Sequence, residues 1–141
     1  MPGYVLDTCF FGELARPRPQ VSVAAWFQRH DADCYLTPVV AMELDDGVEL
    51  LPDAATRQKL RDRNRRLVAR FKPERRIIFD YDAAAQTADI LAHARRRGRP
   101  VGIPDAQILG IAASMRFAVV TRDANLDGRG VTIINPWTDN P

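Results

Sequence analysis

Four short apolar runs, separated from one another by stretches of helical spacing, constrain this chain more than any other feature of it. They are Tyr4-Val5-Leu6, Cys34-Tyr35-Leu36, Ile77-Ile78-Phe79 and Phe117-Ala118-Val119-Val120-Thr121. A short continuous apolar run reads as a strand covered on both faces, the habit of parallel sheets. Strands that alternate with helices need crossovers, which place helices on the two faces of the sheet. The sequence therefore predicts an α/β fold: a central, mostly parallel sheet of four to five strands flanked by helices on both faces. Val131–Ile134 is the candidate for the last strand, at an edge. A length of 141 residues supports one domain with one core, spanning 1–141.

Between the strands the punctuation is local. Thr8 is expected to cap a short helix from Cys9 to Ala15, broken by Arg16-Pro17-Arg18-Pro19. Val21 to His30 has an apolar side built on Val21, Ala24, Ala25 and Trp26-Phe27. Thr37-Pro38 has the form of an N-cap followed by proline in the first turn, opening a helix to about Leu51. A long helix follows from about Ala54 to Phe71, with Leu60, Leu67, Val68 and Phe71 inward. Asp80 is expected to shape a turn and Asp82 to cap Ala83–Arg97, which Gly98 ends. Ile103-Pro104-Asp105 opens the last helix, closing near Met115-Arg116.

With 46% apolar residues the chain is not a disordered one, and it has no run long enough for a membrane span and no signal-like start. A cytosolic protein is expected. Cys9 and Cys34 are too few for a disulfide framework, and Cys9 reads as a small apolar packing residue. His30 and His93 lack cysteine partners at ligand spacing, which argues against a usual zinc site. The net charge of +2 hides an uneven distribution. Ten basic residues fall between Arg57 and Arg76, and Arg95-Arg96-Arg97 with Arg99 close a later helix. Arginine's planar fork suits phosphate, so the set fits a partner carrying phosphates.

Four acidic residues stand out against this frame. Asp7 and Asp123 follow apolar strands, where ligands bind in open parallel sheets. Each has the alternative of an ordinary turn or capping role. Asp105 shares a helical face with Ile108, Leu109 and Ala112, although the helix dipole alone favours an acid in a first turn. Glu43 shares a face with Val40, Gly47 and Leu50, and Gly47 within a helix is expected to admit a close backbone approach. Asp45, Asp46 and Glu49 read as solvent-facing. Four converging carboxylates would repel one another unless a cation compensated them, and hard divalent cations take oxygen ligands.

The motifs that carry these acids resemble the PIN-domain nucleases: Leu6-Asp7-Thr8, Met42-Glu43-Leu44 with Gly47, Pro104-Asp105-Ala106 with Ile108 and Ala112-Ala113, and Thr121-Arg122-Asp123. The closing Ile134-Asn135-Pro136-Trp137 directs the resemblance toward the VapC and FitB group of toxins of type II toxin–antitoxin systems. It spans Tyr4 to Trp137 in order and spacing. It implies that Asp7, Glu43, Asp105 and Asp123 form an acidic quartet binding Mg²⁺ or Mn²⁺, with Thr8 orienting the site. Two departures accompany it. Many relatives carry arginine where Asp45 stands, and Asn125-Leu126 replaces an Asp-Phe pair, which leaves Asp127 as a reserve for the fourth acid.

The resemblance further implies an endoribonuclease leaving 5′-phosphate and 3′-hydroxyl ends, a small antitoxin of the VapB/FitA type as partner, and a homodimer. Phe10, Phe11, Leu14 and Trp26 are candidates for partner contact, with core packing favoured for Trp26. Lys59, Arg63, Arg66 and Arg70, at spacings of four, three and four, form a candidate outward stripe for RNA phosphates. A catalytically weak module that binds RNA or a partner is the alternative, prompted by Asp45. A phosphorylation receiver also places aspartates at strand ends, but it needs a lysine late in the sheet, and Lys59 and Lys72 lie elsewhere.

Overall fold

The computed structural model describes residues 3–124, 126 and 130–138. The elements run β1 (Tyr4–Leu6), α1 (Thr8–Leu14), α2 (Val21–His30), β2 (Cys34–Tyr35), α3 (Pro38–Glu49), α4 (Ala54–Ala69), α5 (Tyr81–Arg96), α6 (Ile103–Met115), β3 (Ala118–Val120) and β4 (Ile133–Ile134). Among the described residues the sheet has four strands in the order β2-β1-β3-β4, and every pairing is parallel. The chain steps from β1 to one side to make β2, then crosses back past β1 to make β3. Right-handed crossovers in opposite directions put their helices on opposite faces. They also open a crevice where the strand order reverses, between the carboxyl ends of β1 and β3.

The core is the strand run itself, Val5, Leu6, Val119 and Val120, closed by Ile108, Leu109 and Ile111 of α6. Phe10 and Phe11 are buried in it, so they face the interior and not a partner; Leu14 is half-buried. Trp26 is core as well, edge-on to Tyr4 and Phe10 and stacked on His30 at 4.6 Å. Helices α5 and α6 meet at Gly110, where an added Cβ would run into the Thr87 hydroxyl and lie 2.8 Å from the Ala83 carbonyl. Only glycine permits that approach.

Several local expectations change. Arg76–Asp80 does not become a strand: Arg76 makes a single parallel bridge to Leu36, with Ile77 donating to the Leu36 carbonyl at 2.9 Å. Ile78 and Phe79 then stay exposed, because nothing described covers that edge of the sheet. The next helix starts at Tyr81, and Asp80, not Asp82, caps it by accepting from the Ala83 N–H at 2.9 Å. Thr8 is the first residue of α1, capped by Asp7. Gly47 is exposed and a Cβ there would meet nothing within 4 Å, so no backbone approaches it. Thr37 caps α3 as expected, accepting from the Val40 N–H at 3.3 Å. Among the described residues no helix is long and apolar enough to cross a membrane.

Candidate active site

The carboxyl end of β1 delivers Asp7 into the crevice beside β3, since the Asp7 N–H donates to the Val120 carbonyl at 3.1 Å. Asp7 is buried, at 6% exposure. A buried carboxylate must be hydrogen-bonded, and this one is. One oxygen accepts from the Thr8 N–H at 2.7 Å and the other from the Thr121 hydroxyl at 2.7 Å. Thr121 is itself buried and accepts from the Asp123 N–H at 3.1 Å. A single hydroxyl therefore ties the first acid to the backbone that carries the fourth.

Glu43 reaches in from the second turn of α3, half-buried, and accepts from the Thr8 hydroxyl at 2.8 Å. Thr8 thus serves both neighbours: its amide holds Asp7 and its side chain holds Glu43. Asp105 sits in the first turn of α6, also half-buried. Burial, and then the charges of Asp7, Glu43 and Asp123 in that order, push its carboxyl up from the ordinary 3.8 to about 6. The four predicted acids therefore share one electrostatic environment. They are not drawn around a single point, because among the described residues no three His, Cys, Asp or Glu side chains are grouped as direct ligands of one ion. Asp127, the reserve, and Asn125 lie outside the described residues.

Thr121 is the site residue that sequence reasoning left without a role. Its signal was present: a hydroxyl at the end of an apolar strand, two residues before Asp123. Cys9, expected to pack as a small apolar residue, also lies beside this site. Its thiol lies 3.5 Å from both Asp7 Oδ2 and Thr121 Oγ1, and burial foremost raises its pKa. Cys34 is buried away from the site, its thiol pushed up to about 12 chiefly by burial, which leaves it unreactive.

The basic stripe on α4 is less uniform than its spacing. Lys59 and Arg66 are exposed. Arg63 is half-buried against Asn64, donating to its side-chain oxygen at 3.1 Å. Arg70 lies 4.7 Å above the Phe27 ring and 3.8 Å from the Asp31 carboxylate.

A parallel α/β sheet with paired acids held by hydroxyls at its switch point defines a class of site suited to divalent cations and phosphate esters. The comparisons agree. The PIN domain family pattern matches residues 4–130. VapC ribonuclease Y4jK of Sinorhizobium fredii is 33% identical over 94% of this chain and 96% of its own length. Toxin FitB of Neisseria gonorrhoeae is 31% identical over 96% of this chain and 99% of its own. The crystal structure of FitAcB from Neisseria gonorrhoeae superposes with a TM-score of 0.83 at 30% identity, covering 96% of this chain and 99% of that one. The chain belongs to the PIN-domain family, whose nucleases use a divalent metal ion.

Proposed function

We propose that the protein is a metal-dependent endoribonuclease and the toxin of a type II toxin–antitoxin pair, with Asp7, Glu43, Asp105 and Asp123 as its catalytic carboxylates. The observation that carries this reading is the grouping of Asp7 and Glu43 through the Thr8 and Thr121 hydrogen bonds, in one electrostatic environment with Asp105 and Asp123. Among the described residues none of Asp7, Glu43 and Asp105 has an ion pair with a basic side chain. Such an imbalance fits a cation, and an all-oxygen donor set fits a hard one. Mg²⁺ suits a loose arrangement best because it keeps several of its waters, with Mn²⁺ as the substitute. The relatives named VapC ribonuclease and toxin FitB support the substrate and the biological role.

When bound, such an ion polarises the scissile phosphate and lowers the pKa of an attacking water. The chain's own residues do the positioning. Asp7 is fixed between the Thr8 amide and the Thr121 hydroxyl, and Glu43 is fixed by the Thr8 hydroxyl. Thr8 is therefore an orienting residue for two acids at once. No side-chain nucleophile is required. A VapB/FitA-type antitoxin, a homodimer and a cytoplasmic setting with the RNA complete the proposal.

The test offers single-stranded RNA to the purified protein with Mg²⁺, with EDTA, and with Asp105→Asn in place of the native chain. Cleavage is expected only in the first case, and cutting that survives EDTA sinks the mechanism. Expression separates the weak binding module from the enzyme. A growth defect abolished by Asp7→Asn supports hydrolysis, whereas a defect unchanged by it supports binding alone.

A further inference from the structure

Four arginines in five residues, Arg95-Arg96-Arg97 and Arg99, sit where helix α5 turns into α6. The two helices form an antiparallel hairpin. Gly110 of α6 touches Ala83 and Thr87 near the start of α5, while only residues 97–102 join the end of one helix to the start of the other. The turn is therefore at the same end of the hairpin as Asp105, which lies in the first turn of α6. Six residues span at most about 20 Å, which bounds the backbone separation of Arg99 from Asp105.

The turn is also built to hold its shape. Gly98, at φ +69°, donates to the Arg95 carbonyl at 3.0 Å, and Arg99 donates to the Ala94 carbonyl at 3.0 Å. Those two bonds make the paired helix-ending motif that needs a left-handed glycine. The helix dipole favours cations in the last turn of α5, but that reason does not extend to Arg99 beyond it. Arg95, Arg96 and Arg99 are exposed, and none is ion-paired to a described carboxylate. On α4, by contrast, Arg61 is locked to Glu49 at 2.7 Å and Arg70 lies over Phe27. At the Asp105 end of the hairpin, the exposed arginines Arg95, Arg96 and Arg99 carry charge that no described carboxylate pairs.

We infer that this turn is the substrate's phosphate rim: Arg95, Arg96 and Arg99 hold backbone phosphates of single-stranded RNA flanking the bond presented to the carboxylates. The physical need is plain. A polyanion approaching four acids is repelled, and cations on the rim offset that repulsion before any ion-specific contact is made. This rests on the ribonuclease reading above and adds which surface guides the strand.

The test uses the full chain carrying Asp7→Asn and a labelled mixed-sequence RNA, with affinity followed by anisotropy from 50 to 200 mM KCl. Each phosphate contact to a single strand contributes about 0.7 to the slope of log affinity against log salt. Replacing Arg95, Arg96 and Arg99 with Gln should lower that slope by about two. Replacing all three with Lys should restore it, because the charges return. A slope unchanged by the Gln variant, or lost equally in the Lys variant, overturns the inference. So does a slope that depends on Lys59 and Arg66 instead, since the strand then runs along α4. If the unmutated chain still cuts RNA in those cases, only the rim is lost. No RNA affinity in the Asp7→Asn protein removes the rim together with the ribonuclease reading.

Discussion

Thr121 donates its hydroxyl hydrogen to Asp7 across the gap between β3 and β1, at 2.7 Å, while accepting from the Asp123 N–H at 3.1 Å. Both strands end here, so one buried hydroxyl fixes a carboxylate that the fold has withdrawn from water. Replacing it with valine keeps the volume and strips both partners. Asp7 Oδ2, then left with only the weak Cys9 thiol contact, should cost about 1–3 kcal/mol in denaturant unfolding. Thr121→Ser should recover most of it. If Thr121→Val is as stable as the native chain, the hydroxyl is not what holds Asp7.

Thr8 links Glu43 to the same place through its 2.8 Å hydrogen bond. Thr8→Val frees the Glu43 carboxylate to rotate while leaving the Asp7 cap, a backbone contact, in place. Loss of such a supporting partner costs about 10–100-fold in metal affinity or activity. We expect RNA cleavage to fall within that range, with Thr8→Ser near the native rate. Equal cleavage by the valine variant would confine Thr8 to starting α1.

Asp105 gives a pH dependence with a definite sign. Its folded-state carboxyl titrates near 6, above the ordinary 3.8, so the folded chain binds that proton more tightly than the unfolded one. Its contribution to stability is present below about pH 4 and is lost as pH rises through 6. In metal-free buffer at pH 8, Asp105→Asn should therefore melt at a higher temperature than the native chain, with little difference at pH 4. Saturating Mg²⁺ should stabilise the native chain more than the variant, by mass action. A lower melting temperature for the variant at pH 8 would mark Asp105 as chiefly a helix-start residue.

Gly110 is where α6 crosses α5. Gly110→Ala sets a methyl against the Thr87 side chain and against backbone, 2.8 Å from the Ala83 carbonyl and 2.9 Å from the Thr87 nitrogen. Overpacking of this kind costs about 1–3 kcal/mol. A drop of roughly 3–10 °C in thermal midpoint is expected for a domain of this size. Adding Thr87→Ala should restore only part, since the backbone contacts remain. Full recovery would show that the side chain alone sets the helix spacing.

The alternation of buried strands and helices, the parallel sheet, and the approximate places of the four acids are all legible in the residues. Those follow from local chemistry: continuous apolar runs, Thr37-Pro38 at a helix start, and carboxylates beside apolar stripes. The sequence alone misread Ile77-Ile78-Phe79 as a full strand because an apolar run states only a wish for cover. Whether a neighbour supplies that cover is decided by packing, and here a single bridge at Arg76 is all that forms. Gly47 and Gly110 make the same point, since helix propensity treats them alike. The structure leaves the first open to solvent and presses the second against α5. The hydroxyls of Thr8 and Thr121 were equally visible in the chain, but they act on Glu43 and Asp7 across separations of 35 and 114 residues. Hydrogen bonds of that reach exist only once the crossovers have brought the strand ends together, so the resemblance implied that Thr8 orients the site, while the partners of both hydroxyls came from the tertiary structure.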